Sequence, residues 1–362
     1  MKHLLKLSFV FLFIVACKSL PTATSTTFVK HSDNKIVYEG RVGQNENNSA
    51  SEIYWSGTSI KINFNGTSVK AILDDENGTN YFNVIIDGTK SEILKLEKGK
   101  KEYVLAKDLL EEKHSLEITK RNEWTYGKTQ FFGFEIDGEL LEKDKEKELF
   151  FEFYGDSITA GHGNEDFTGE DKADGNVTNN YNTYAAITGR VFNAEYSCIA
   201  RGGIGIMVSW FNMIMPEMYY RLNPNDENSK WISQKTPDVV VVNLFQNDSW
   251  IVNRPNHKEF KRRFGTEKPS EEKIIESYAN FIKSIRAEYK NTSIVCLLGN
   301  MDITKKNSQW PNYITKAVNS LKDSKVYTCF VPYKNTKGHP KVEDHQLIAN
   351  QLISVIENRI IK

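Results

Sequence analysis

Charge imbalance is missing from this chain: 47 Lys and Arg face 47 Asp and Glu, so the formal net charge is zero. A balanced chain has no global pull toward nucleic acid or an anionic membrane surface, and no nucleic-acid partner is expected. The basic run from Lys258 to Arg263 is too short to change this and reads as a solvated loop. Cysteine is scarce, at positions 17, 198, 296 and 329, and no CxxC occurs. Cys198, Cys296 and Cys329 each fall in an apolar, strand-like run, which predicts buried free thiols rather than a disulfide framework. There is no HExxH, and His339 and His345 do not make that pattern, so neither a metal nor a cofactor is expected. Long apolar runs are missing too. The N-terminal one, Leu7 to Ala16, is too short for an ordinary membrane span.

That N-terminal run is flanked by Lys2 and Lys6 and ends Ile14-Val15-Ala16-Cys17. Basic start, apolar run, small residue and cysteine in that order resemble a bacterial lipobox. The resemblance implies a lipoprotein signal peptide over 1–17, lipidation of Cys17, and an exported protein anchored on the periplasmic or cell-surface face of a membrane. Residues 18–34, which begin rich in Ser, Thr, Ala and Pro, read as a tether.

From 35 to 140 short alternating runs are separated by turn residues, which predicts a β-sandwich domain. Ser59 to Phe64 and Ser68 to Leu73 read as two strands joined by an Asn65-Gly66 turn. Of the aromatic residues here, Trp55, Tyr81 and Phe82 are expected in the core. Trp124, in the turn Lys120-Arg121-Asn122-Glu123-Trp124, is kept as a candidate sugar contact. Residues 141–148 are nearly all charged and read as a linker.

From 149 to 362 the period changes. Val239-Val240-Val241-Val242 is the run of a strand buried on both faces. Ile274, Ile275, Tyr278, Phe281, Ile282 and Ile285 recur at helical spacing. Alternation of this kind predicts an α/β three-layer domain on a parallel sheet, with function just beyond the strand ends. Three segments meet that condition: Ser157 after the first strand, Asn247-Asp248 after Val239 to Leu244, and His339 before the last helix. A hydroxyl, an amide and an imidazole at one sheet edge are the parts for acyl transfer. Of seven histidines, five lie in the signal, the tether, the sandwich, a polar loop or a helix. His339 and His162 remain, and His339 is preferred as the general base because its loop can reach the serine from another direction.

These blocks resemble the SGNH (GDSL) hydrolases: Gly155-Asp156-Ser157 with Ile158-Thr159-Ala160-Gly161, then Arg201-Gly202-Gly203-Ile204-Gly205, Gln246-Asn247-Asp248, and Gly338-His339-Pro340. With a β-sandwich in front, bearing Tyr81-Phe82-Asn83-Val84 and Asp87-Gly88, the whole resembles the two-domain family 2 carbohydrate esterases. The resemblance implies removal of acetyl groups from a polysaccharide such as xylan or glucomannan through an acetyl-enzyme. Ser157 would be the nucleophile and His339 the base. The oxyanion hole would be formed by Ser157, by Gly202 or Gly203, and by Asn247. Two positions depart from the pattern. Phe245 stands two residues before the block Asn, where the family at large has glycine. Thr336 stands three before the histidine, where the acid is normal, which implies a Ser-His dyad with a backbone carbonyl orienting the ring.

Trp250 and Trp310 are candidate walls of the substrate pocket, and His162 a candidate substrate contact. An acetylated polysaccharide or oligosaccharide is the expected substrate. The alternatives are another small acyl ester, on an envelope glycan or a short acyl lipid, and a glycan-binding relative that has lost the chemistry. The absence of a long apolar lid weighs against a lipid.

Overall fold

The computed structural model describes residues 26–361 except residue 173, so Cys17 and the signal-like run lie outside the described residues. The first domain is a ten-stranded antiparallel sheet folded over a core that includes Ile60, Phe64, Leu73, Phe82, Phe131 and Phe134. Its spine is the strand Ser59–Asp75, seventeen residues long. One half pairs with Glu112–Lys120, the other with Gly99–Ala106, and most of its length also pairs with Thr129–Leu140.

That spine corrects the expected hairpin. Asn65-Gly66 makes no turn; the strand runs straight through it. Gly66 lies opposite Gly138, where the register shifts. A Cβ on Gly66 would come 2.2 Å from the Asp137 carbonyl oxygen, and one on Gly138 2.0 Å from that of Asn65. Here glycine serves a close strand crossing, with a bulge that bends the sheet over its core. The tether is corrected as well. Thr26–Lys30 is a strand paired with Thr129–Leu140, and Val29 is buried. The β-branched and aromatic residues of Thr26-Thr27-Phe28-Val29 outweigh the loop-like composition before them. The charged linker lies against the first domain, with Lys147 bridged to Glu39 at 2.8 Å.

The second domain holds a five-stranded parallel sheet in the order Glu195–Ala200, Phe150–Gly155, Val239–Asn243, Ser293–Leu298, Val326–Phe330. The valine run divides its side chains between the two faces. Val240 and Val242 pack with Tyr278, Ile282 and Ile285 of the helix Glu271–Glu288. Val239 and Val241 pack with Ile348, Leu352 and Ile356 of the helix Val342–Arg359. Cys198, Cys296 and Cys329 are buried free thiols, and burial pushes their pKa values up to about 11, 12 and 12.

The two domains are joined by buried polar contacts. Arg41, from the sandwich, reaches the Glu152 carboxylate at 3.3 Å and donates to the carbonyls of Tyr219 and Arg221 at 2.7 and 2.8 Å. Glu152 also accepts from Ser197 and from the Tyr154 and Tyr289 hydroxyls. Trp55 donates its indole N–H to the Leu222 carbonyl at 2.8 Å. A cleft of about 780 Å³ lies along the seam beside the linker, and Ser157, Asn247 and His339 are not among its walls.

Candidate active site

The strand Phe150–Gly155 ends at a glycine for a steric reason: a Cβ on Gly155 would sit 1.9 Å from the Thr159 hydroxyl. The chain turns at once into the short helix Ser157–Ala160. Asp156 caps it, accepting from the Ile158 N–H at 3.0 Å. Ser157 therefore opens a helical turn directly beyond the sheet edge. Burial pushes the Asp156 carboxyl up to about 7.

His339 reaches the serine from the loop before the last helix, with Nε2 2.9 Å from the Ser157 Oγ. Its Nδ1 lies 2.8 Å from Oδ2 of Asp171, and its backbone N–H donates to Oδ1 of the same carboxylate at 2.9 Å. The His339 hydrogen bond, with the charge of Lys341 adding to it, holds Asp171 well below the usual carboxylate range. An ionised carboxylate only accepts, so Nδ1 carries the proton and Nε2 faces the serine with its lone pair. This corrects the expected dyad. Thr336 is exposed and bound by the Lys334 ammonium, and the carboxylate comes from a different loop, 14 residues after the serine. Asp171 can come this close because Gly338 has no side chain: a Cβ there would meet the Asp171 carboxyl carbon at 3.0 Å. Asp166 shapes the acid's loop by accepting from the Thr168 hydroxyl and from the Thr168 and Lys172 N–H groups.

His162 is not the serine's partner. Its ring lies beside that of His339, centroids 4.4 Å apart, and burial lowers its pKa to about 4. It is therefore neutral at neutral pH and adds no charge next to the base.

The glycine block lies beside the nucleophile, and the structure separates its two glycines. A Cβ on Gly202 would be 3.6 Å from that of Ser157. Gly203 has φ +83° and faces Trp210 and Phe211 instead. Gly202 is thus the glycine that lies beside the nucleophile. Its N–H donates to Oε2 of Glu123 at 2.9 Å, a residue of the sandwich domain. The block continues over Asp248, whose carboxylate accepts from the N–H groups of Ile206, Met207 and Val208 at 3.0, 2.7 and 3.1 Å. Burial raises Asp248 to about 6 against the pull of those donors. Asn247 is oriented by Trp210, which donates to its Oδ1 at 2.9 Å. Its amide donates to the Ile204 carbonyl at 2.9 Å and to Asp156 at 3.2 Å.

A model of the carbohydrate esterase 2 N-terminal family matches residues 38–143. Over 89% of the chain and 98% of the other, the fold superposes with TM-score 0.80 and 31% identity on a family two carbohydrate esterase from Clostridium thermocellum, solved in complex with cellohexaose. The chain belongs to the family 2 carbohydrate esterases. It is also 32% identical over 342 residues, 90% of its length, to the cellulase/esterase CelE of Acetivibrio thermocellus, and spans 39% of that longer protein. It is 27% identical to an acetylxylan esterase / glucomannan deacetylase of Cellvibrio japonicus, with 84% of this chain and 85% of the other aligned.

Within this family 2 carbohydrate esterase the pocket candidates fall into two groups. Trp250 and Trp310 line one groove of about 500 Å³, together with Tyr313, Asn253, Arg254 and Asp302. Asp302 holds the Trp250 indole N–H at 2.9 Å. Arg254, at the groove's edge, lies 4.9 Å over the ring of Trp210, which in turn holds Asn247. Trp124 does not fit its expected part. It is 6% exposed, edge-to-face with Trp55 and beneath the Arg201 guanidinium, and so offers no open ring to a sugar.

Reading the sequence missed Asp171 and Glu123. No spacing rule marks Asp171: Asp166, Glu170 and Asp174 are as good on paper. Glu123 sits in the turn singled out for Trp124, one residue away.

Proposed function

We propose that the protein is an exported, lipid-anchored carbohydrate O-acetylesterase acting on an acetylated polysaccharide of the xylan or glucomannan kind. The observation that carries this reading is the line Ser157 Oγ, His339 Nε2, His339 Nδ1, Asp171, with steps of 2.9 and 2.8 Å. Ser157 attacks the acetyl carbonyl while His339 takes its proton, and Asp171 stabilises the resulting imidazolium. The oxyanion is received by the N–H groups of Ser157 and Gly202 and by the Asn247 amide, each worth about 3 kcal/mol in the transition state. His339 then protonates the sugar oxygen as it leaves. A water molecule, deprotonated by the same ring, cleaves the acetyl-enzyme to acetate.

The groove with Trp250, Trp310 and Tyr313, whose walls do not include Ser157, Asn247 or His339, supports a glycan chain that extends beyond the reacting ester, since ring faces pack on the apolar faces of pyranoses. The name of the Cellvibrio relative supports acetylated xylan and glucomannan as the first substrates to try. The order of Lys2, Lys6, the apolar run and Cys17 supports the anchor.

The test is acetate release from acetylated xylan, acetylated glucomannan and a chromogenic acetyl ester by the wild type and Ser157→Ala. The variant should lose at least about 10³-fold in kcat; equal rates would leave a glycan-binding relative without chemistry. For the anchor, a Cys17→Ser variant should move from the membrane to the soluble fraction, and mass spectrometry should find no lipid on it.

A further inference from the structure

Glu123 is placed where a purely structural residue would not be. The turn that carries it is fixed from behind. Lys120, fully buried, donates its ammonium to the carbonyls of Asn122 and Glu123, both at 3.0 Å. Arg121 donates to Asn83 at 2.7 Å and to the Asn176 carbonyl at 2.8 Å, and it pairs with Glu165. The backbone of the turn is therefore held without help from the Glu123 side chain. That side chain is 6% exposed and crosses the domain boundary to accept the Gly202 N–H. A Cβ on Gly202 would stand 2.9 Å from Oε1 of Glu123 and 3.6 Å from the Ser157 Cβ, so carboxylate and nucleophile flank the same glycine.

A buried carboxylate is costly unless it is paired and hydrogen-bonded. Burial raises the Glu123 pKa, against the Gly202 N–H and the charges of Arg201, Lys120 and His339. A negative group at this place also conflicts with the proposed chemistry, because the Gly202 N–H is the donor an oxyanion needs. One N–H directed at Glu123 does not serve a second acceptor equally well. When an ester oxygen takes that donor, the carboxylate needs a new one. A sugar that carries an acetyl group offers one nearby, a hydroxyl on the adjacent ring carbon.

We propose that Glu123 is a substrate-binding residue supplied by the sandwich domain, which yields the Gly202 N–H to the ester oxygen and accepts in its place a free hydroxyl next to the acetylated carbon. The inference rests on the esterase reading above. It makes the enzyme selective for partly acetylated sugars with a free neighbouring hydroxyl, and slow on fully acetylated ones. No covalent step is involved; two hydrogen bonds exchange partners.

The experiment compares the full chain as wild type, Glu123→Ala and Glu123→Gln on three esters: a monoacetylated xyloside, the fully acetylated form of the same xyloside, and 4-nitrophenyl acetate. In the wild type, kcat/KM should favour the monoacetylated sugar by about 10-fold or more, the worth of a hydrogen bond to a charged acceptor. In Glu123→Ala the preference should fall to within about 2-fold, through KM on the monoacetylated sugar, and kcat/KM on 4-nitrophenyl acetate, which has no neighbouring hydroxyl, should fall much less than on that sugar. Glu123→Gln, close in shape, should fall between them and decides the matter if the alanine variant does not fold. A wild-type preference that survives both substitutions overturns the proposal. So does an equal loss on all three esters, which would mean that the side chain only supports the glycine loop. Failure of the esterase reading looks different: wild type and Ser157→Ala would match on every ester.

Discussion

Asp171 takes a left-handed backbone conformation, φ +58°, which Asp tolerates better than most residues. That conformation and the bare Gly338 bring its carboxylate against both the ring and the backbone N–H of His339. Asp171→Asn keeps the shape and removes the charge. Its kcat on an acetyl ester should fall by about 10²- to 10⁴-fold with KM little changed; a change within 2-fold would return the enzyme to a dyad. The depressed pKa also sets a pH rule. Stability from the ionised Asp171 carboxylate is present above the ordinary aspartate value of about 3.8 and fades as pH falls further toward the folded value. Phe245 is the second residue-scale departure. It holds φ +89°, the conformation for which glycine is suited, and its ring is buried against Tyr278 and Trp310 at 4.8 and 5.0 Å. The glycine conformation is thus kept under a side chain that packs the core beneath the groove, rather than one that fills the pocket. Phe245→Gly should relieve about 1–3 kcal/mol of strain and lose about 3–5 kcal/mol of packing, a net loss visible in chemical denaturation. Ser157, Asn247 and His339 were legible in the sequence because each follows a strand or precedes a helix of strong pattern. Asp171 was not, because its loop has no periodicity and its partner is 168 residues away.

At the scale of elements, the parallel sheet was legible for the same reason: the valine run and the Ile-rich helix can be satisfied in only one kind of layer. The antiparallel domain was legible in class and not in connection. Asn65-Gly66 has the composition of a turn, and only the opposing Gly138 reveals that it is a crossing. The turn from Lys120 to Trp124 makes a measurable prediction. Burial lowers the Lys120 pKa to about 7, against about 10.4 unfolded. Between those values the unfolded chain binds a proton that the folded chain does not, so this residue's contribution to stability rises with pH. The stability of wild type relative to Lys120→Met should increase by about 2–3 kcal/mol from pH 7 to pH 9 in urea titrations. A difference that stays flat would mean that Lys120 remains charged in the folded state.

For the whole molecule, the decisive contact is Arg41 with Glu152. The carboxylate lies in the first strand of the parallel sheet and its main counter-charge comes from the other domain. Removing the guanidinium leaves a buried charge with only hydroxyls around it. Arg41→Ala should cost about 3–5 kcal/mol. The wild type should unfold in one calorimetric transition covering both domains; two separated transitions would show that the contact is not essential to either. The sequence does not announce this joint, since Arg41 and Glu152 look like any surface pair when read in line.

The fold and the reactive line do not share the same anchorage. Ser157 opens a helical turn at the sheet edge and His339 lies three residues before the last helix, while Asp171 rides on a loop whose Phe167, Gly169 and Glu170 are exposed and whose Asp166 accepts hydrogen bonds from Thr168 and Lys172. Local opening there costs less than global unfolding. Warming, or a protease that cuts beside Lys172, should therefore silence the enzyme while its circular dichroism still reports a native chain. Preparations that are folded but inactive are the expected first stage of its decay.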